Sequence, residues 1–179
     1  MQNNNKDLSK IELLVLDVDG VLSDGSITYS SSGDELKTFN VKDGAGLKYW
    51  KRAGCKFAVI TGRKSVAVER RATELDADAI RQDCKNKLPV LEEVMQTLGY
   101  TPDQVAVVGD DLPDLPMMYE SYFAACPADA VSHVQDYVDY KCKLPGGAGC
   151  VREVVEMILQ ASGRWDSVFA RYLPKNKDA

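Results

Sequence analysis

Three short apolar runs in this chain each end directly in polar residues. The runs and the residues that follow them are 11–16 with Asp17, 57–60 with Thr61, and 105–108 with Gly109 and Asp110. Only Glu12 interrupts them, and apolar runs of this length are typical of strands buried on both faces of a sheet. The pattern therefore predicts three buried strands with polar residues at their carboxyl ends.

Segments with helical spacing of apolar residues alternate with these runs. We predict helices at about residues 43–52, 65–75 and 86–98, and a final helix with Val151, Val154, Val155, Ile158 and Leu159 on one face. A short strand is predicted around residues 79–80, and weaker strand candidates lie at residues 123–125 and 137–138. Strands that alternate with helices predict an α/β fold: a doubly wound, mostly parallel, Rossmann-like sheet with helices on both faces.

The segment between the first strand and the first helix is too short for a separate cap domain. Residues 27–29 and 36–41 are rich in β-forming types and flank a polar turn, which predicts a β-hairpin flap at about 24–41. Residues 62–87 leave room for only one helix and one strand. We therefore expect a single domain over 1–179 without a cap, and a tail at about 163–179 that is mobile or docks on a partner.

Composition excludes several classes of function. The formal net charge is −5 and no basic stretch is present, which argues against a nucleic-acid partner. No apolar run approaches the roughly 20 residues that a membrane helix needs. The start of the chain is polar, and the five cysteines are scattered without metal-binding spacing. We therefore expect a cytoplasmic protein with reduced thiols and no membrane partner.

The polar residues at the strand ends suggest a metal and phosphate site. Ligands of parallel sheets bind beyond the carboxyl ends of the strands, where Asp17 and Asp19 would face Asp110 and its neighbours Asp111 and Asp114. Carboxylate oxygens are the ligands that Mg²⁺ prefers. Taken singly, each piece has an ordinary alternative as a turn or a helix cap. Their joint occurrence at strand ends favours the metal site.

The order of these pieces resembles the haloacid dehalogenase superfamily. The matching motifs are Asp17-x-Asp19-Gly20-Val21, Ile60-Thr61-Gly62, Lys87 and Gly109-Asp110-Asp111. Further stretches resemble the 3-deoxy-D-manno-octulosonate 8-phosphate phosphatases within that superfamily. They are Asp17 to Gly25, Phe39-Asn40-Val41-Lys42-Asp43-Gly44, and Gly146-Gly147 with Val151-Arg152-Glu153. The likeness extends from about residue 11 to about residue 159.

The resemblance implies a role for each matching residue. Asp17 would be the nucleophile that forms an aspartyl phosphate, and Asp19 the general acid and base. Thr61, Gly62 and Lys87 would bind the phosphoryl group. Mg²⁺ would be held by Asp17, the backbone carbonyl of Asp19, and Asp110. Asp111 and Asp114 would orient that metal shell and its waters.

The resemblance also implies a substrate and an assembly. The family hydrolyses a sugar-acid phosphate on the route to the lipopolysaccharide inner core, and it forms homotetramers in which hairpins and C-terminal segments of neighbours shape the pocket. Arg63 would bind the sugar carboxylate, since Arg can hold a carboxylate with two hydrogen bonds. Its alternative is a surface Arg at a helix start, and the flap could instead fold back on its own domain.

Two departures from the family pattern bear on the substrate. Ala148 stands where the family commonly has Arg, and His133 lies two places later than expected, both near the expected pocket rim. A nonulosonate 9-phosphate phosphatase and a non-catalytic oligomerisation module therefore remain as alternatives. The intact set Asp17, Asp19, Thr61, Lys87 and Asp110 argues against the non-catalytic module.

Overall fold

The computed structural model describes residues 6–174. The strands are β1 (Leu13–Leu16), β2 (Thr28–Tyr29), β3 (Glu35–Leu36), β4 (Lys56–Ile60), β5 (Ala79–Arg81), β6 (Val105–Val108), β7 (Phe123–Cys126) and β8 (Tyr140–Lys141). The helices are α1 (Val41–Arg52), α2 (Val66–Glu74), α3 (Leu88–Leu98), α4 (Leu115–Glu120), α5 (Ser132–Gln135), α6 (Cys150–Ala161) and α7 (Trp165–Phe169). None of the helices in this part of the chain is long and apolar enough to cross a membrane.

Six of the strands form one sheet in the order β5-β4-β1-β6-β7-β8, and every neighbouring pair in it is parallel. The register pairs Leu16 of β1 with Val59 on one side and Val108 on the other. The carboxyl ends of β1, β4 and β6 therefore lie side by side at one edge. This confirms the predicted α/β fold and brings the three polar strand ends together.

Side chains that alternate along the central strand supply the two cores of the fold. Leu14 and Leu16 belong to a buried cluster with residues of α1 and α6, including Trp50 and Val154. Leu13 and Val15 belong to a second cluster, which includes Leu91 of α3. Each such side chain contributes about 1.5–3 kcal/mol when fully buried. Burial on both faces explains why β1 is continuously apolar.

The flap is shorter than predicted. β2 and β3 pair antiparallel through Thr28 with Leu36 and Tyr29 with Glu35, so strand pairing ends at Leu36. The chain then enters α1 at Val41, because the Asn40 side chain accepts a hydrogen bond from the Lys42 amide and caps the helix. The predicted helix start at residue 43 was therefore two residues late.

One strand prediction near the C-terminus was wrong. The last strand is Tyr140–Lys141 rather than 137–138, and Val138 is buried without being in a strand. The tail contains α7, whose Trp165 ring lies 6.1 Å from Tyr49 of α1 in an edge-to-face arrangement. This part of the tail packs on its own chain through aromatic contacts. The sequence of the tail shows no helical periodicity that would have indicated them. Residues 175–179 of the predicted tail lie outside the described residues.

Candidate active site

All nine residues predicted for the site line one cavity of about 410 Å³. They are Asp17, Asp19, Thr61, Gly62, Arg63, Lys87, Asp110, Asp111 and Asp114. β1, β4 and β6 end side by side, so the residues that follow each strand lie at the same edge of the sheet. This explains why the predicted residues converge. Cys84, Lys85 and Pro113 also line the cavity, and the sequence had not indicated them.

Asp17 is a buried residue that lines the cavity at the end of β1. Its backbone amide donates to the Val108 carbonyl at 3.1 Å, which continues the sheet one residue beyond β1. Asp17 is only 5% exposed, and its carboxylate accepts a hydrogen bond from Lys87 Nζ at 2.6 Å. A buried carboxylate held in this way has few orientations open to it.

Lys87 is buried and forms two ion pairs. Its Nζ lies 2.6 Å from Asp17 Oδ1 and 2.5 Å from Asp114 Oδ1. The residue directly precedes α3, and that helix start directs the side chain under the sheet edge. Lys87 therefore places a positive charge beside the carboxylate of Asp17.

Three carboxylates converge in the same place. Single oxygens of Asp17, Asp110 and Asp114 all lie within 4.8 Å of one another. Burial, with the neighbouring charge of Asp114, raises the pKa of Asp17 to about 7. Burial and the charge of Asp17 raise the pKa of Asp110 to about 8. A bound cation would offset this repulsion, and the hard oxygen donors fit Mg²⁺.

Asp114 also fixes the loop that carries Asp110. Its Oδ2 accepts hydrogen bonds from the backbone amides of Asp110 at 3.0 Å and Asp111 at 3.3 Å. The Asp111 side chain accepts from the Leu112 amide at 2.7 Å and so caps the short 3₁₀ turn Leu112–Asp114. Asp114 is thus bonded to Lys87 and to backbone amides, so the Asp110 carboxylate is more free to bind a cation.

Asp19 stands apart from the three carboxylates, nearer the flap. Its Oδ1 accepts from Lys37 Nζ, and its Oδ2 lies 3.6 Å from Arg63 Nε. Gly20 follows with φ +90°, and a Cβ there would lie 2.1 Å from Asp110 Oδ2. Only glycine therefore lets the Asp19 loop approach the Asp110 carboxylate this closely.

The Thr61 to Arg63 segment forms the wall of the cavity beside β4. Thr61 is buried, and its amide donates to the Arg81 carbonyl at 3.0 Å, which anchors the end of β4. Arg63 is half-exposed and donates from Nη2 to Glu35 Oε1 at 2.7 Å. Arg63 thus lines the cavity and bonds the flap while remaining exposed before α2, so its role in binding the sugar carboxylate stays a prediction.

The stretches that resemble the octulosonate 8-phosphate phosphatases pack against the loop that carries Asp19. The Gly147 amide donates to the Val21 carbonyl at 2.9 Å, and Asn40 Nδ2 donates to the Gly147 carbonyl at 3.2 Å. A Cβ on Gly146 would lie 1.8 Å from the Gly20 carbonyl oxygen. Asp43 accepts from the amides of Gly149 and Arg152 and so fixes the start of α6. These residues therefore support the catalytic loop from outside the cavity.

The two residues that depart from the family pattern are not among those that line this cavity. Ala148 and His133 are both exposed, and neither of them lines it. These two departures therefore do not alter any residue that lines the cavity around Asp17.

Comparison with known proteins agrees with the geometry. The haloacid dehalogenase-like hydrolase family matches residues 34–120. The 3-deoxy-D-manno-octulosonate 8-phosphate phosphatase KdsC of Escherichia coli K12 is 42% identical over 156 residues, which are 87% of this chain and 83% of that protein. The corresponding protein of Yersinia pestis is 40% identical over the same shares.

Solved structures of relatives superpose closely on this chain. The phosphatase of Moraxella catarrhalis, in complex with magnesium, phosphate and KDO, has a TM-score of 0.90 at 41% identity and covers 93% of this chain and 96% of its own. The cobalt-bound phosphatase of Haemophilus influenzae has a TM-score of 0.85 at 36% identity, over 88% of this chain and 92% of its own. The chain belongs to the 3-deoxy-D-manno-octulosonate 8-phosphate phosphatase family of the haloacid dehalogenase-like hydrolases.

Proposed function

We propose that this protein is a Mg²⁺-dependent phosphatase that hydrolyses 3-deoxy-D-manno-octulosonate 8-phosphate to the free sugar acid and phosphate. The observation that carries the chemistry is the buried Asp17, held at 2.6 Å by Lys87 beside two further carboxylates. The sugar is inferred from relatives of that name at about 40% identity over most of both chains. The reaction would serve lipopolysaccharide synthesis.

Asp17 attacks phosphorus in this account. Its carboxylate oxygen forms a bond to phosphorus as the bond from phosphorus to the sugar oxygen breaks, giving an aspartyl phosphate. Asp19 lies near the mouth of the cavity and protonates the departing sugar oxygen. It then takes a proton from the water that releases phosphate from Asp17.

The phosphoryl group is held by the cations and donors around it. Lys87 Nζ, already 2.6 Å from the nucleophile, offers its charge to the transferring oxygens. Thr61 and the Gly62 amide line the same cavity and supply uncharged donors. Arg63, half-exposed beside them, would bind the carboxylate of the sugar acid with its planar fork.

The donor set fits Mg²⁺. The Asp17 and Asp110 carboxylates and the backbone carbonyl of Asp19 would hold the ion, and Asp111 and Asp114 would orient its shell. When bound, Mg²⁺ neutralises charge on the phosphoryl group and lowers the repulsion among the carboxylates.

A panel of phosphate esters tests the assignment. With Mg²⁺ present, we expect kcat/KM for the octulosonate 8-phosphate to exceed that for a nonulosonate 9-phosphate and for hexose phosphates by more than about tenfold. A chelator should remove all release, because the carboxylate cluster then lacks its cation. A preference for the nonulosonate ester would move the enzyme to another substrate. Release from no ester would favour the non-catalytic module.

The assembly is part of the proposal: a homotetramer of single, capless domains that acts in the cytoplasm. The cavity opens to solvent without a cap, and the flap residues Ile27, Tyr29 and Leu36 are all about half-exposed or more. Burial of these apolar side chains against a second copy would cover the site and exclude water. Light scattering at micromolar concentration should give four times the chain mass of 19.7 kDa, and a monomeric mass would contradict it.

A further inference from the structure

The flap brings one lysine, Lys37, into contact with the Asp19 carboxylate. Lys37 follows β3 directly, and its side chain is only 1% exposed although the flap around it is open to solvent. Its Nζ contacts Asp19 Oδ1 and lies 3.7 Å from Glu35 Oε1. A lysine buried on an otherwise exposed flap has lost its hydration and a large part of its rotamer freedom. Such a cost indicates that the contact with Asp19 matters to the fold or to the reaction.

Lys37 belongs to a closed ring of four charges. Glu35 Oε1 lies 2.7 Å from Arg63 Nη2, and Arg63 Nε lies 3.6 Å from Asp19 Oδ2. The Asp19 carboxylate therefore has a cation beside each of its oxygens, one from the flap and one from the segment after β4. Of the two, Lys37 makes the closer contact and is the more buried, since the side chain of Arg63 is 43% exposed.

We infer that Lys37 is a positioning residue for Asp19, which fixes the general acid and base at the departing oxygen. The inference rests on the proposed function, in which Asp19 transfers the proton. A carboxyl held at one oxygen by a buried ammonium group presents the other oxygen in a defined direction. A misplacement of about 1 Å in such a group costs about 10²-fold in rate. Lys37 itself touches Asp19 and not the reacting phosphorus.

The leaving group separates this role from a purely structural one. A sugar alkoxide needs a proton as it departs, whereas para-nitrophenolate departs without one. We therefore expect Lys37→Met to lower kcat/KM for the sugar phosphate by about 10- to 100-fold. The initial burst of nitrophenolate from para-nitrophenyl phosphate should change by less than about threefold, because Asp17 and Lys87 act in that step. The slow phase after the burst should fall, since Asp19 must then activate water.

Matched variants sharpen the experiment. Lys37→Arg keeps a cation beside Asp19 and should restore most of the rate with the sugar phosphate. Lys37→Gln keeps a single neutral donor and should show the same selective loss in smaller measure, so it carries the test if Lys37→Met does not fold. Lys48→Met, on the exposed face of α1, is the control and should match the wild type with both esters.

The outcomes distinguish a positioning role of Lys37 from a structural or substrate-binding role. A loss in the nitrophenolate burst as large as the loss in kcat/KM with the sugar phosphate, or a rise in KM with kcat unchanged, would overturn the positioning role and make Lys37 a structural or substrate-binding residue. Wild-type turnover with no effect of the Lys37 variants would reject this inference alone. Absence of turnover in the wild type would reject the proposed function together with it.

Discussion

Asp17→Asn should abolish phosphate release and leave the fold intact. Asn has nearly the shape of Asp, but its amide cannot form the phosphoryl ester, so the covalent route is closed. Loss of a covalent nucleophile costs about 10⁴-fold or more in kcat. The side chain is buried at the end of β1 without contributing apolar packing, so circular dichroism should be unchanged. Phosphate release with the octulosonate ester is the measurement.

The control for this variant is Asp136→Asn, an exposed aspartate outside the cavity, which should keep wild-type turnover. Near-normal turnover by Asp17→Asn would contradict the mechanism. It would mean that water attacks phosphorus directly, with the carboxylates acting only around the metal.

Lys87→Met should lower both turnover and stability. The change removes the cation beside Asp17 and Asp114, and with it the charge offered to the phosphoryl oxygens. Loss of one such transition-state contact costs about 10²–10³-fold in kcat. Breaking a buried pair leaves a desolvated carboxylate and costs about 3–5 kcal/mol in the free energy of unfolding. Steady-state kinetics and chemical denaturation measure the two effects.

The stability effect of Lys87→Met should depend on pH when measured in chelator. Asp17 has a pKa of about 7 in the folded protein against a reference value of 3.8, so the folded state binds more protons between these values. The free energy of unfolding therefore falls as pH rises through this range. Because Lys87 holds the pKa of Asp17 down, its removal extends the fall to higher pH. A pH-independent loss would contradict this account. Lys42→Met, an exposed lysine at the start of α1, is the control.

Much of the site could be predicted because strand ends in a parallel sheet converge. The apolar runs before Asp17, Thr61 and Asp110 are buried on both faces, so composition alone marked the strands. The carboxyl ends of parallel strands lie at one edge of a sheet. Once the strands were placed, the residues that follow them could therefore be predicted to lie together. Lys87 entered only through the family resemblance, since nothing local distinguishes a buried lysine from a solvated one before a helix.

The flap contacts could not be predicted from the sequence. The burial of Lys37 depends on how the hairpin folds over the Asp19 loop, which is a tertiary arrangement rather than a local pattern. The same holds for α7, a helix of five residues that is stabilised by aromatic contact with Tyr49. The apolar Val138 was mistaken for strand because burial in a loop leaves the same local signal.

The most direct test of the central claim is to locate the covalent intermediate. The enzyme with Mg²⁺ would be mixed with the sugar phosphate, quenched in acid within one turnover, and mapped by peptide mass spectrometry. We expect one added phosphoryl group on the peptide that contains Asp17, and none in Asp17→Asn. Steady turnover with no phosphorylated peptide, or with the group on another residue, would contradict it.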